Sequence, residues 1–138
     1  MTVHIQKLCV GIESIEHLAE RQDMRLKRQG EIAHHTRMAP KRRDEIVDGG
    51  SIYWVIKGQV QVRQRIIGIE ILTASDTGKR CKFVLDPELV PVRPRPKRAF
   101  QGWRYLARED APPDLEKNAI AAKLPEKMRA ELAELGLI

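Results

Sequence analysis

Ser51-Ile52-Tyr53-Trp54-Val55-Ile56-Lys57-Gly58-Gln59-Val60-Gln61-Val62-Arg63-Gln64-Arg65-Ile66 is the stretch on which the fold turns. Ile52, Trp54 and Ile56 alternate with Ser51, Tyr53 and Val55, the period of two expected of a strand with one face in a core. Lys57-Gly58 then turns the chain. Val60 and Val62 alternate with Gln61, Arg63 and Arg65, which predicts a hairpin with apolar residues on one face and basic residues on the other. Past Ile66 the phase changes, because Ile67, Ile69 and Ile71 become the apolar set. Gly68 suits the bulge or bend that such a change requires. A turn is expected at residues 76–78, and Cys81, Phe83 and Leu85 mark another strand.

Upstream, residues 3–10 predict an opening strand ended by Gly11. Ser14 is a good helix N-cap, Ile15, Leu18, Gln22 and Leu26 keep a helical stripe, and Gly30 supplies the stop. Residues 31–37 form a weaker strand. Met38-Ala39-Pro40 opens a short helix, with Pro40 near its first position, that ends at Asp48-Gly49-Gly50 and exposes Lys41, Arg42 and Arg43. Downstream, residues 89–96 carry Pro91, Pro94 and Pro96; this excludes a central strand and suggests an extended connection. A short strand resumes over residues 100–106. After Pro112-Pro113, Asp114 is expected to cap a helix and Pro125 to start another, with Met128, Leu132 and Leu135 on one stripe and Gly136 as its end.

Strands joined by tight turns predict an α+β fold, a small antiparallel, partly closed β-barrel with flanking helices, formed by the strands between residues 31 and 106. Ile52, Trp54, Ile56, Val60 and Val62 are its expected core. The barrel domain takes residues 1–110, and a helical extension packed on it takes residues 111–138.

The chain has 138 residues and a formal charge of +6. That charge is concentrated: residues 25–108 hold 19 basic against eight acidic side chains. Residues 90–107 contain no acid at all, while carrying Arg93, Arg95, Lys97, Arg98 and Arg104. A field of this kind favours a polyanion, since each neutralised phosphate releases condensed counterions. Trp54 belongs to the core pattern. Trp103, between Gly102 and Arg104, and Tyr53, on the face opposite Trp54, are the candidates for base stacking.

Enzyme templates fail on particular residues. Neither Gly-x-Gly-x-x-Gly nor Gly-Lys-Ser/Thr occurs, so both phosphate-cradling loops are missing. No Gly-x-Ser-x-Gly elbow is present. His34 and His35, adjacent in a strand, point to opposite faces and cannot chelate one ion. Cys9 and Cys81 are expected to be reduced thiols, and neither sits in a locally electropositive setting. No metal and no cofactor is implied. Residues 1–10 interrupt their apolar stretch with His4, Gln6 and Lys7, unlike a signal peptide, and no apolar run reaches membrane-spanning length. The expectation is a cytoplasmic protein with no membrane contact.

Arg37-Met38-Ala39-Pro40-Lys41-Arg42, the run from Gly49-Gly50 to Gly58, Val62-Arg63-Gln64-Arg65-Ile66 and Phe100-Gln101-Gly102-Trp103-Arg104-Tyr105-Leu106 together resemble a bacterial family catalogued only as a domain of unknown function. The likeness spans nearly the whole chain and brings no activity with it. The order of an arginine-bearing strand, a short helix ending in Gly-Gly, a strand, a glycine turn and a long strand is also similar to the ASCH and EVE branches of the PUA-like superfamily. That likeness implies a small β-barrel and, for many members, binding of RNA or modified bases.

The expected function is therefore an RNA-binding module or one for another polyanion. Its contact residues would be Arg37, Arg42, Tyr53, Lys57, Arg63, Arg65, Arg95, Arg98, Trp103 and Arg104. Two alternatives stand beside it. One is an enzyme acting on a nucleotide in a PUA-like pocket, with His34, His35 and Glu70 as its only contributors. The other is a protein-interaction module using the proline-rich arm or the C-terminal helices.

Overall fold

The computed structural model describes residues 2–74 and 78–115. Mixed α and β elements follow one another in the order β1 (His4–Leu8), α1 (Ile15–Gln29), β2 (Ile32–Thr36), α2 (Arg43–Val47), β3 (Ser51–Ile56), β4 (Gln59–Ala74), β5 (Gly78–Pro96) and β6 (Trp103–Leu106), with a 3-10 turn at Arg108–Asp110. The expected caps of α1 are in place. Ser14 Oγ accepts from His17 N at 3.0 Å, and Gly30 adopts φ 76°, the left-handed conformation that costs glycine nothing. The second helix begins later than expected. Residues 38–40 stay irregular, with Pro40 buried, and the helix starts only at Arg43. Met38 O is engaged by Trp103 Nε1 at 2.7 Å, which holds that carbonyl away from a helical ladder.

All six strands join one sheet in the order β2-β5-β4-β3-β1-β6. The pairs are antiparallel except β1 with β3, which is parallel. Two expectations are corrected here. The opening strand is an inner member of the sheet, where residues 31–106 alone were expected to build it, and its parallel pairing breaks the antiparallel pattern. The hydrogen-bonded ladder also has two ends, β2 and β6, so the sheet is open. It nevertheless curls: Phe83 on β5 and Trp103 on β6, with three strands between them, approach to 6.4 Å between ring centroids.

The curl encloses a first core cluster that includes Ile5, Leu18, Ile52, Trp54, Ile56, Val62, Ile66, Phe83 and Trp103. The opposite face has a second cluster of Tyr53, Val55, Val60, Val92, Phe100 and Leu106. Both faces of β3 are therefore covered, and all six of its residues are buried. The expected core residues are all buried, yet Val60 and Val62 face opposite ways. Trp54 pairs with Val62 and Val55 with Val60, so Gln61 is left as the extra residue of a bulge. Its side chain compensates by donating to Ile56 O at 2.8 Å. The bulges expected near Gly68 are present, between Gln64 and Ile66 and between Ile66 and Gly68.

Residues 89–96 are a strand after all. They pair with β4 along one edge, while β2 covers the other edge of β5 only over Cys81–Leu85. Beyond that point the prolines lie on an outer edge, where their missing N–H groups interrupt no inner ladder. What pairing remains there is made by residues 113–115: Arg93 N donates to Pro113 O at 2.9 Å and Leu115 N to Pro91 O at 3.0 Å. Asp114, expected to cap a helix, instead bridges to Val92. The C-terminal helices expected beyond it, like the turn residues 75–77, lie outside the described residues.

Candidate functional site

The cross-strand register decides which cations meet. Arg104 pairs with Gln6, Gln6 with Tyr53, and Tyr53 with Arg63, so these four side chains form one row across β6, β1, β3 and β4 on the face of the second cluster. Arg65 pairs with Ser51 and shares that face. Phe100 packs beneath two cations, with the Arg104 guanidinium 4.8 Å and the Lys97 ammonium 5.8 Å from its ring centroid. Lys97 N donates to Gly58 O at 2.8 Å, which brings the Lys57-Gly58 turn alongside. Lys57, Arg65, Lys97 and Arg104 thus belong to one side of the molecule.

Other expected contact residues are already engaged. Arg63 makes a two-point ion pair with Asp114, at 2.7 and 2.8 Å, and reaches Ser51 Oγ at 3.2 Å. This hydrogen-bonded partner pushes its pKa up and fixes its charge. Arg95 Nη1 donates to Asp110 O at 2.5 Å. Arg42 holds Glu45 at 2.6 and 2.9 Å and lies 5.5 Å from the centre of the Tyr105 ring. Arg37 and Arg42 come from the irregular segment after β2 and stand apart from the Arg104 row. Arg98 and Arg37 are exposed.

The stacking candidates need correcting. Trp103 and Tyr53 are each only 4% exposed, so neither offers a ring face to a base. Trp103 is packed edge-on against Phe83 and Tyr105, and its indole N–H is used on Met38. Tyr53 lies under the second cluster, covered by side chains from residues 92–111 that are remote in sequence. His4 packs edge-on against Tyr53 at 5.1 Å, and its Nδ1 accepts from Ser51 N at 3.0 Å. Burial, then the charges of Arg63 and Arg108, lower its pKa.

On the other face, a cavity of about 450 Å³ lies between α1, the end of β1 and β2. Its inner wall includes Leu18, Ile32, Trp54 and Leu85, all buried, and its rim carries Lys7, Arg21, Arg25 and Arg28. Pattern reading missed this site. The signal was present, because Arg21, Arg25 and Arg28 stand at helical spacing beside the Leu18 and Gln22 stripe. Gln22 ties the helix to the sheet: its amide and that of Gln64 bond reciprocally at 2.7 and 2.8 Å. Gln64 also accepts from Trp54 Nε1 at 3.1 Å and donates to Asp86 O at 2.7 Å.

His34 faces the cavity edge-on to Trp54, 5.3 Å between centroids, while His35 is exposed. Burial first, then Lys7, Arg25 and His35, hold the His34 imidazole down to about 4. Since the folded value lies below the ordinary 6.5, the unfolded chain takes up this proton first as pH falls. The stability His34 contributes is full above about pH 6.5 and is lost toward pH 4. In His34→Gln, the loss of unfolding free energy between pH 7 and 4.5 should shrink by roughly 2 kcal/mol. Urea titrations at the two pH values measure it; an unchanged loss would mean that the imidazole is not held neutral. Cys9 also lines the cavity, but burial pushes its thiol up to about 12, which keeps it protonated and unreactive. Cys9 and Cys81 are both free.

Among the described residues, no group of three or more His, Cys, Asp or Glu side chains is placed to hold a metal ion. Nor is any of their helices long and apolar enough to cross a membrane. Fold and surface thus define an open-sheet α+β protein with a basic face on one side and a cation-rimmed cavity on the other. The chain belongs to the family described as "Protein of unknown function (DUF1489)", whose profile matches residues 5–138. No curated protein and no solved structure matches it.

Proposed function

We propose that this protein is a nucleic-acid-binding module, with single-stranded RNA as its ligand, and that the curled sheet is a PUA-like, partly closed barrel. The reading is carried by one arrangement: Lys97 and Arg104 flank Phe100 within an acid-free stretch, on the same side as Lys57 and Arg65. Cations held along a sheet face contact phosphates without sequence preference. The approach of Phe83 to Trp103 across the open side supports the barrel reading.

Arg63 is a poor residue to mutate, because its loss would also strand Asp114. Arg65 and Arg104 are better, being exposed and, among the described residues, engaged in no ion pair. Arg65→Ala with Arg104→Ala should weaken binding to a single-stranded RNA pool about tenfold or more and flatten the log–log salt dependence by about 1.4, at about 0.7 per phosphate contact. Thermal stability should barely change. Fluorescence anisotropy at several salt concentrations measures both. A wild-type protein with no salt-dependent affinity for any RNA or DNA pool would overturn the proposal.

A further inference from the structure

We propose that the cavity between α1, β1 and β2 is a second binding site, independent of the basic face, for a small organic anion. The ligand would carry a phosphate or carboxylate head toward Lys7, Arg21, Arg25 and Arg28 and an apolar body against the inner wall.

Three observations converge. The first is charge: the rim supplies four cations, and among the described residues no Asp or Glu lines the cavity and none of the four cations makes an ion pair. Arg25 has only a long contact, 3.5 Å, to Ala33 O. Spacing of 21, 25 and 28 puts three guanidinium groups on one flank of α1, with Lys7 opposite them on β1. Like charges gathered this way repel one another, and an oxyanion relieves that repulsion while accepting charge-assisted hydrogen bonds.

The second is shape. The volume falls within the roughly 300–1,000 Å³ usual for small-molecule sites. Leu18, Ile32, Trp54 and Leu85 make a buried apolar wall, whereas Val10 and Met24 at the mouth are 85% and 53% exposed. A bare inorganic ion would leave that wall wet, so a ligand with an apolar body fits better.

The third is an unspent hydrogen bond. His34 Nε2 is buried without a partner, among described side chains whose other buried polar atoms are bonded. Such an orphan is costly to fold around. His34 lines the cavity, so a small turn of its ring would let a polar group on the ligand satisfy it. Gln22, by contrast, spends its amide on Gln64, so it shapes the wall without being available.

The test is isothermal titration of the full chain with phenyl phosphate and benzoate, with benzyl alcohol and inorganic phosphate as controls. Saturable binding of one or both aromatic anions, at least tenfold tighter than either control, supports the site. Their ratio distinguishes a phosphate head from a carboxylate. Arg21→Ala with Arg25→Ala should weaken that binding at least tenfold, while Arg65→Ala with Arg104→Ala leaves it unchanged. Because the exposed arginines contribute little to folding, their variants should keep the wild-type melting temperature. The His34 Nε2 resonance in a long-range proton–nitrogen spectrum should also shift on saturation with the anion. The proposal is overturned if neither aromatic anion binds, if inorganic phosphate binds as tightly, or if the Arg21/Arg25 variant binds as wild type does. RNA binding by the basic face is scored separately and can fail or succeed without touching this result.

Discussion

Gly50→Ala should lower the unfolding free energy by about 3 kcal/mol or more, and the melting temperature by about 10 °C. A β-carbon at this position would lie 2.3 Å from Ile46 O and 2.4 Å from Val3 O. Both neighbours are backbone, so neither can swing aside. Gly50 N donates to Ile46 O at 2.7 Å, and Gly50 O accepts from Ile66 N at 3.0 Å. The methyl group would therefore push apart the end of α2, the entry to β1 and the β3–β4 ladder at once. Gly49 is the internal control. It has φ 83° but only Thr2 Oγ1 near its missing side chain, at 3.7 Å. Alanine there meets backbone strain alone, costing about 1–2 kcal/mol. Equal losses at the two positions, in paired chemical denaturation curves, would show that close approach is not what selects glycine at 50.

The second large effect concerns Gln64, which is fully buried. Its amide uses both donors and both acceptor sites on Gln22, Trp54 and Asp86. Gln64→Leu keeps the volume but strands the Trp54 indole N–H and the Asp86 carbonyl. With each buried orphan costing about 1–3 kcal/mol, the loss should be about 3 kcal/mol. The Gln22 amide suffers less, since it borders the cavity and can turn toward water. Adding Gln22→Leu should therefore cost less than it does alone, with a coupling of about 1 kcal/mol in a double-mutant cycle. Strict additivity, or a neutral Gln64→Leu, would mean that the network does not hold α1 to the sheet.

Local chemistry was legible in the sequence. The cap at Ser14, the stop at Gly30, the 51–66 hairpin and the bulges beside Gly68 all depend on residues close in the chain. Strand order did not follow, because the place of β1 between β3 and β6 is set by contacts spanning 47 to 102 residues. Tyr53 shows the same limit. Alternation placed it opposite Trp54, but only residues such as Phe100 and Leu106 could reveal that this face is covered too. Pro91, Pro94 and Pro96 ruled out a central strand, and an edge satisfies that rule as well as a loop does. For the site, the acid-free run was visible as charge. The bond from Arg95 to the Asp110 carbonyl and the Arg63–Asp114 ion pair were not, and neither was the arginine flank of α1, which balanced acids nearby made inconspicuous.

The position of β1 also bears on how the protein is made. Ile5, on that strand, is completely buried, yet both of its neighbouring strands are synthesised later. As the chain leaves the ribosome, β1 has no partner on one side until residues 51–56 emerge and none on the other until residues 103–106 do. A strand with both edges open in the meantime is a template for pairing with another chain, and topologies that rely on such distant contacts fold slowly. Completing the sheet by docking β6 removes that exposure, which makes the four residues of β6 a latch on nascent-chain aggregation as well as an element of the finished fold.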